Sequence, residues 1–214
     1  MNSEVVLSTA FLLGLAHAIE VDHMIAVTAF VSTRPALRNA AGFGLRWGLG
    51  HSIAVLVAGG ILIATGLRWP VSCDALGEAL VGALLVAVGV WVMRGARNLD
   101  FRASAHSSDG HDHHDHDHGK RGMTMVGLMH GLAGTSAVVA LVPVTMMEPW
   151  AVGLAYLLAF GAGTIIAMTA YALLAALAFR RASAASSNWA RAISRFAGLG
   201  SISVGAWWIW KAVG

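Results

Sequence analysis

Leu12-Leu13-Gly14-Leu15-Ala16-His17-Ala18-Ile19-Glu20-Val21-Asp22-His23-Met24-Ile25-Ala26 is the stretch on which the reading of this chain turns. It lies within an apolar run, 5–32, long enough to cross a bilayer, which takes roughly 20 residues. Yet it holds two imidazoles and two carboxylates between His17 and His23. Ionisable groups at membrane depth are costly and are kept for a partner or a task. Imidazole with carboxylate is a ligand set that borderline divalent metals favour. The stretch therefore implies a path for a metal ion through a membrane.

The rest of the chain fits that setting. Its residues are 57% apolar and 12% charged, with a mean hydropathy of +0.69, against about 25% charged in a soluble domain. Apolar runs at 5–32, 41–66, 75–94, 123–147, 150–179 and 192–212 predict an all-α integral membrane protein of six transmembrane helices. The connections are too short to hold a soluble domain. Cys73 is the single cysteine, which excludes an internal disulfide and any multi-thiolate site. Residues 1–8 carry Glu4 but no Lys or Arg, and the run that follows is too long for a signal peptide.

The basic residues are sorted by side. Arg34, Arg38, Arg46, Arg94, Arg97, Arg102, Lys120, Arg121, Arg180, Arg181, Arg191 and Arg195 fall in loops on one side. Only Arg68 and Lys211 fall on the side of the N-terminus. The positive-inside rule then places both termini outside the cytoplasm, in a multi-pass protein of the inner (plasma) membrane. The pI of 9.6 is thus a topology signal that needs no nucleic-acid partner.

The halves also resemble each other. Leu13-Gly14-Leu15-Ala16-His17 matches Val126-Gly127-Leu128-Met129-His130, and Gly82 with Val88-Gly89-Val90-Trp91 matches Gly198 with Val204-Gly205-Ala206-Trp207. Gly44-Leu45 against Gly153-Leu154 is a weaker match. Three spans per half would give the halves opposite orientations, an inverted-repeat architecture recurrent among transporters. The expected organisation is a three-helix repeat at 1–95, a cytoplasmic His-rich loop at 96–122 and a second repeat at 123–214.

On an ideal helix His17 and His23 lie about 120° apart and about 9 Å along the axis. One regular helix cannot aim both rings and Asp22 at one ion. Either the helix is interrupted, or these residues serve two adjacent points on a path. Glu20, one turn from both histidines, is open as ligand, proton acceptor or helix contact. His51, in Trp47-Gly-Leu-Gly-His-Ser, and His130, in Met129-His-Gly-Leu-Ala-Gly-Thr-Ser136, are candidate ligands or supports from neighbouring helices. Glycines beside them permit close helix approach. The remaining histidines, His106, His111, His113, His114, His116 and His118, crowd one hydrophilic tract. Its low complexity predicts disorder without metal and a loose metal buffer.

Together His17-x4-Asp22-His23, Leu49-Gly50-His51-Ser52, His130-Gly-Leu-Ala-Gly-Thr-Ser136 and Phe160-Gly-x-Gly-Thr164 resemble the nickel/cobalt transporter family. Its six-span branch of urease-accessory-type nickel permeases is the most similar. The resemblance implies metal selection at His17, Asp22 and His23 with support from His51, and Ni²⁺ or Co²⁺ as cargo. It implies no enzyme activity and no organic cofactor. Importers and exporters both occur in the family.

Other readings stay open at this point. Paired histidines from facing helices could ligate haem or iron in a redox protein, and a Soret band in the purified protein would mark it. A Zn²⁺ or Co²⁺ efflux or sensor protein could work through the tract, and deletion of 106–118 separates a sensor from a transporter. The absence of a Gly-x4-Gly-Lys-Ser/Thr element argues against nucleotide hydrolysis of that kind. A homo-oligomer is compatible with the composition.

Overall fold

The computed structural model describes residues 3–33, 35–67, 71–95, 116–132 and 140–213. Its elements are α1 (Ser3–His17), α2 (Val21–Thr33), α3 (Leu37–Thr65), α4 (Val71–Gly95), α5 (His116–Gly131), the short α6 (Val142–Val144), α7 (Trp150–Ala185) and α8 (Ser187–Val213). Among the described residues there is no strand.

Three single helices are long and apolar enough to cross a membrane: α3, the Asp74–Arg94 part of α4, and α7. A fourth candidate is the pair α1 and α2, bent by 54° at the break between them. The first apolar run is therefore an interrupted helix, the first of the two alternatives its side chains had left. The run at 123–147 is not one described helix either: α5 ends at Gly131, and α6 follows the stretch 133–139, which lies outside the described residues. The helix α8 covers the last run, but its serines, glycines and basic residues keep it out of the apolar set.

Upstream, α5 begins at His116, so the end of the His-rich tract is helical where composition argued for disorder. Extending a helix from a packed turn costs far less than nucleating one. His106, His111, His113 and His114 lie outside the described residues.

Between lipid-exposed helices no hydrophobic force acts, and association rests on close packing of small residues. The structure uses that device repeatedly. A Cβ added at Gly14 would overlap the carbonyl oxygen of Phe160, and one at Gly127 would overlap that of Trp47. Likewise Gly163 faces the carbonyl of Phe11, and Gly50 that of Thr124. These pairs press α1 onto α7 and α5 onto α3, backbone to backbone. The sequence separation from Gly14 to Gly127 equals that from Trp47 to Phe160, from Gly50 to Gly163 and from Phe11 to Thr124. The weak match of Gly44 with Gly153 does not share that separation. Gly44 packs on the Thr169 backbone, whereas Gly153 meets the Val144 and Ile63 side chains.

A second glycine seam joins α4 and α8, where Gly82 abuts the carbonyl of Gly205 and Gly89 that of Gly198. These register pairs run antiparallel. Ser201 on α8 donates to the Leu85 carbonyl of α4 at 2.7 Å and is buried. The second helix, α2, packs against α4, α7 and α8.

Two apolar clusters fill the bundle. One gathers Val27, Val31, Phe43, Trp47, Leu85 and Met168; the other gathers Val6, Val55, Leu141, Tyr156, Leu157 and Phe160. Outward-facing Leu12, Val57, Leu158 and Leu174 are exposed, as a lipid-facing surface requires. The break between α1 and α2 lies where the two clusters meet.

Candidate metal centre

The break is built by the sequence that occupies it. The last carbonyls of α1 are met by short-range bonds, Ile19 N–H to Ala16 at 3.2 Å and Glu20 N–H to His17 at 3.1 Å. Helical bonding resumes with Met24 N–H to the Glu20 carbonyl at 3.0 Å. In the first turn of α2, Asp22 Oδ1 accepts the His23 backbone N–H at 2.9 Å. Thr164 fixes the other flank by donating to the carbonyls of Phe160 at 3.0 Å and Gly14 at 3.3 Å.

Releasing the chain from one helical path brings His17 and His23 together. Their ring centroids are 4.8 Å apart, and His51 from α3 completes a triangle at 5.0 Å from His17 and 5.5 Å from His23. One ligand atom from each of the three lies within 4.8 Å of the others. Divalent-metal bonds to imidazole of about 2.0–2.1 Å hold ligand nitrogens roughly 3–4 Å apart, so small ring rotations close the trio on an ion. His23 and His51 are each 1% exposed, which keeps bulk water from their rings.

The carboxylates set which nitrogen each ring presents. His17 Nδ1 donates to Glu20 Oε1 at 3.0 Å, and His23 Nδ1 donates to Asp22 Oδ1 at 3.2 Å. With the proton held on Nδ1, the lone pair of each neutral ring is on Nε2. Carboxylate–histidine pairs of this kind orient metal ligands and raise their basicity. Both His51 nitrogens and His23 Nε2 are buried with no hydrogen-bond partner. Orphaned buried polar atoms are costly unless a missing group satisfies them.

His130 is not one of the trio but packs directly against His23. Its Nε2 donates to Asp22 Oδ2 at 3.1 Å, and its ring centroid lies 4.4 Å from that of His23. Asp22, His23 and His130 form a second group with ligand atoms within 4.8 Å of one another. Asp22 thus touches both groups, and His23 belongs to both.

All five residues singled out from the sequence, His17, Asp22, His23, His51 and His130, therefore meet in one buried locus, with Glu20 at its edge and partly exposed. His116 and His118 lie in the first turns of α5, at its far end from His130. Sequence reasoning missed the aromatic walls. The Trp47 ring lies 6.1 Å from His23 and 5.4 Å from His130, and Phe160 lies 5.5 Å from His17. The signal was there in Trp47-x3-His51 and Phe160-x3-Thr164, one helical turn apiece.

A urease accessory protein UreH of Bacillus sp. (strain TB-90) is 34% identical to this chain over 182 residues, covering 81% of the chain and 77% of the relative. A Methanocaldococcus jannaschii protein named as a nickel/cobalt efflux system is 28% identical over 170 residues, covering 77% of the chain and 73% of the relative. No protein-family profile matches the chain, and no solved structure does.

Proposed function

The chain belongs to the nickel/cobalt permease family, and from that premise we propose that it carries Ni²⁺ or Co²⁺ across the inner membrane through a site formed by His17, His23 and His51. The observation that carries this reading is the buried imidazole triangle, with Nδ1 of two rings held by Glu20 and Asp22. Three neutral imidazoles replace part of the hydration shell of a divalent ion. They also leave positions open, so the ion can be released as well as taken up.

The scaffold is proposed as six crossings in two inverted three-helix halves, 1–95 and 123–214, joined by a cytoplasmic loop at 96–122. The equal separations among glycine contacts support it, because α1 meets α7 as α5 meets α3. Broken helices at a repeat interface are a recurrent way to build a transport site. The basic asymmetry supports a cytoplasmic loop and two external termini. His111, His113, His114, His116 and His118 then serve as a metal buffer beside the path.

The test is flux in proteoliposomes, with Ni²⁺, Co²⁺ and Zn²⁺ compared side by side. Saturable Ni²⁺ or Co²⁺ movement that His17→Ala and His23→Ala abolish, in protein that still inserts, is expected. No flux of any of the three ions through wild-type protein would end the transport reading.

A further inference from the structure

We propose that the metal path holds a second position, formed by Asp22, His23 and His130, and that an ion passes between the two positions on the shared ring of His23. The inference rests on the transport reading above and adds to it a hand-off.

The geometry of the second group is already close to that of a ligand shell. Asp22 Oδ1 lies 3.2 Å from His23 Nδ1, and Asp22 Oδ2 lies 3.1 Å from His130 Nε2. Ligand atoms around an ion with bonds of about 2.0–2.1 Å stand at about that separation. The hydrogen bonds thus hold the places that metal bonds would take. All three residues are buried, and each comes from a different point on the break or across it: Asp22 and His23 from α2, His130 from α5.

The two groups differ in character. The first offers three neutral rings, and the second offers two rings and a carboxylate. A divalent cation in a low-dielectric interior gains more charge compensation in the second, and more nitrogen ligation in the first. Neither is then a sink, which is the condition for throughput along adjacent sites.

His23 can serve either group without gaining or losing a proton. With its proton on Nδ1, toward Asp22, the lone pair is on Nε2, which is buried with no hydrogen-bond partner. With the proton on Nε2, Nδ1 faces the second position. His130 has the same freedom, since its Nδ1 is buried with no partner and can take the proton that Nε2 now donates. A single ring cannot complete both shells at once, so the positions are occupied in turn, one ion per chain.

The experiment uses the full-length protein in detergent, with Co²⁺ as probe, read by binding stoichiometry and by visible absorption, and then in proteoliposomes for flux. His51 belongs only to the first position and His130 only to the second. His51→Ala and His130→Ala are each expected to bind one Co²⁺, with visible spectra that differ from each other, while flux in each falls at least tenfold. His23→Ala is expected to bind none. His51→Gln and His130→Gln serve as second variants; the latter keeps an N–H toward Asp22 but removes the imidazole, and should fail as His130→Ala does. Loss of all Co²⁺ binding in both His51 variants would show a single position and overturn the proposal. So would wild-type spectrum and flux in His130→Gln, which would leave His130 a mere partner of Asp22. In either case wild-type flux stands, so the transport reading survives separately.

Discussion

Asp22→Asn is the sharpest perturbation of this site, because it changes charge and one hydrogen-bonding face while keeping shape. The carboxylate accepts three bonds: the His23 backbone N–H at 2.9 Å, His23 Nδ1 at 3.2 Å and His130 Nε2 at 3.1 Å. An amide has one accepting oxygen. Whichever way it is turned, its NH₂ group confronts a ring nitrogen or the backbone N–H that now donates. One ring must then change tautomer or rotate away, and the site loses a buried negative charge. Removing the partner that orients a metal-ligating histidine costs about 10–100-fold in metal affinity. At 1.4 kcal/mol per tenfold, that is roughly 1.4–2.8 kcal/mol. Titration calorimetry of Ni²⁺ into the purified protein in detergent measures the change, and initial flux at subsaturating Ni²⁺ should fall in step. A dissociation constant within twofold of wild type, with unaltered flux, would refute the role given to Asp22.

Three further outcomes are expected. Gly14→Ala drives a methyl into the Phe160 carbonyl, and Gly127→Ala does the same at Trp47; overpacking of this kind costs about 1–3 kcal/mol, so both should lower the thermal midpoint in detergent, and unchanged midpoints would contradict the close approach. Replacing His111, His113, His114, His116 and His118 with serine should leave Ni²⁺ flux present with altered apparent affinity, whereas complete loss in folded protein would put the tract on the path. A reporter fused after Gly214 should read as external and one near Gly110 as cytoplasmic; the reverse would overturn the orientation drawn from the arginines and lysines.

Much of the site was legible because its chemistry is out of place. Imidazoles and carboxylates in an apolar run stand out whatever the fold, so His17, Asp22, His23, His51 and His130 could be picked without coordinates. The helix break was half legible: ideal periodicity forbade one ion from meeting both rings, but only the structure located the turn between His17 and Val21. The walls were legible only as the spacings Trp47-x3-His51 and Phe160-x3-Thr164, since both rings look like any other membrane aromatics until the packed helices bring histidines to them. The alignment of α3 with α7 between the two halves was not legible. Gly44 and Gly153 looked paired because glycine is common in both helices, whereas the equivalent backbone contacts are those of Gly50 with Thr124 and of Gly163 with Phe11. Span ends also escaped, because α7 continues past its apolar stretch to Ala185.

The break between α1 and α2 has an electrical side as well. An unbroken helix would carry its partial charges to the two membrane surfaces, far from the ion. Ending α1 at His17 brings a helix C-terminus, worth about half a negative elementary charge, into the protein interior beside the imidazole triangle. The opposing N-terminus of α2, about half a positive charge, would cancel it, but Asp22 sits in that first turn and accepts a backbone N–H there. The net field at the break therefore favours a cation and opposes an anion before any ligand bond is made. The preference for a cation is thus shared between the carbonyl end of α1 and the Asp22 carboxylate, and it precedes any contribution of the imidazoles.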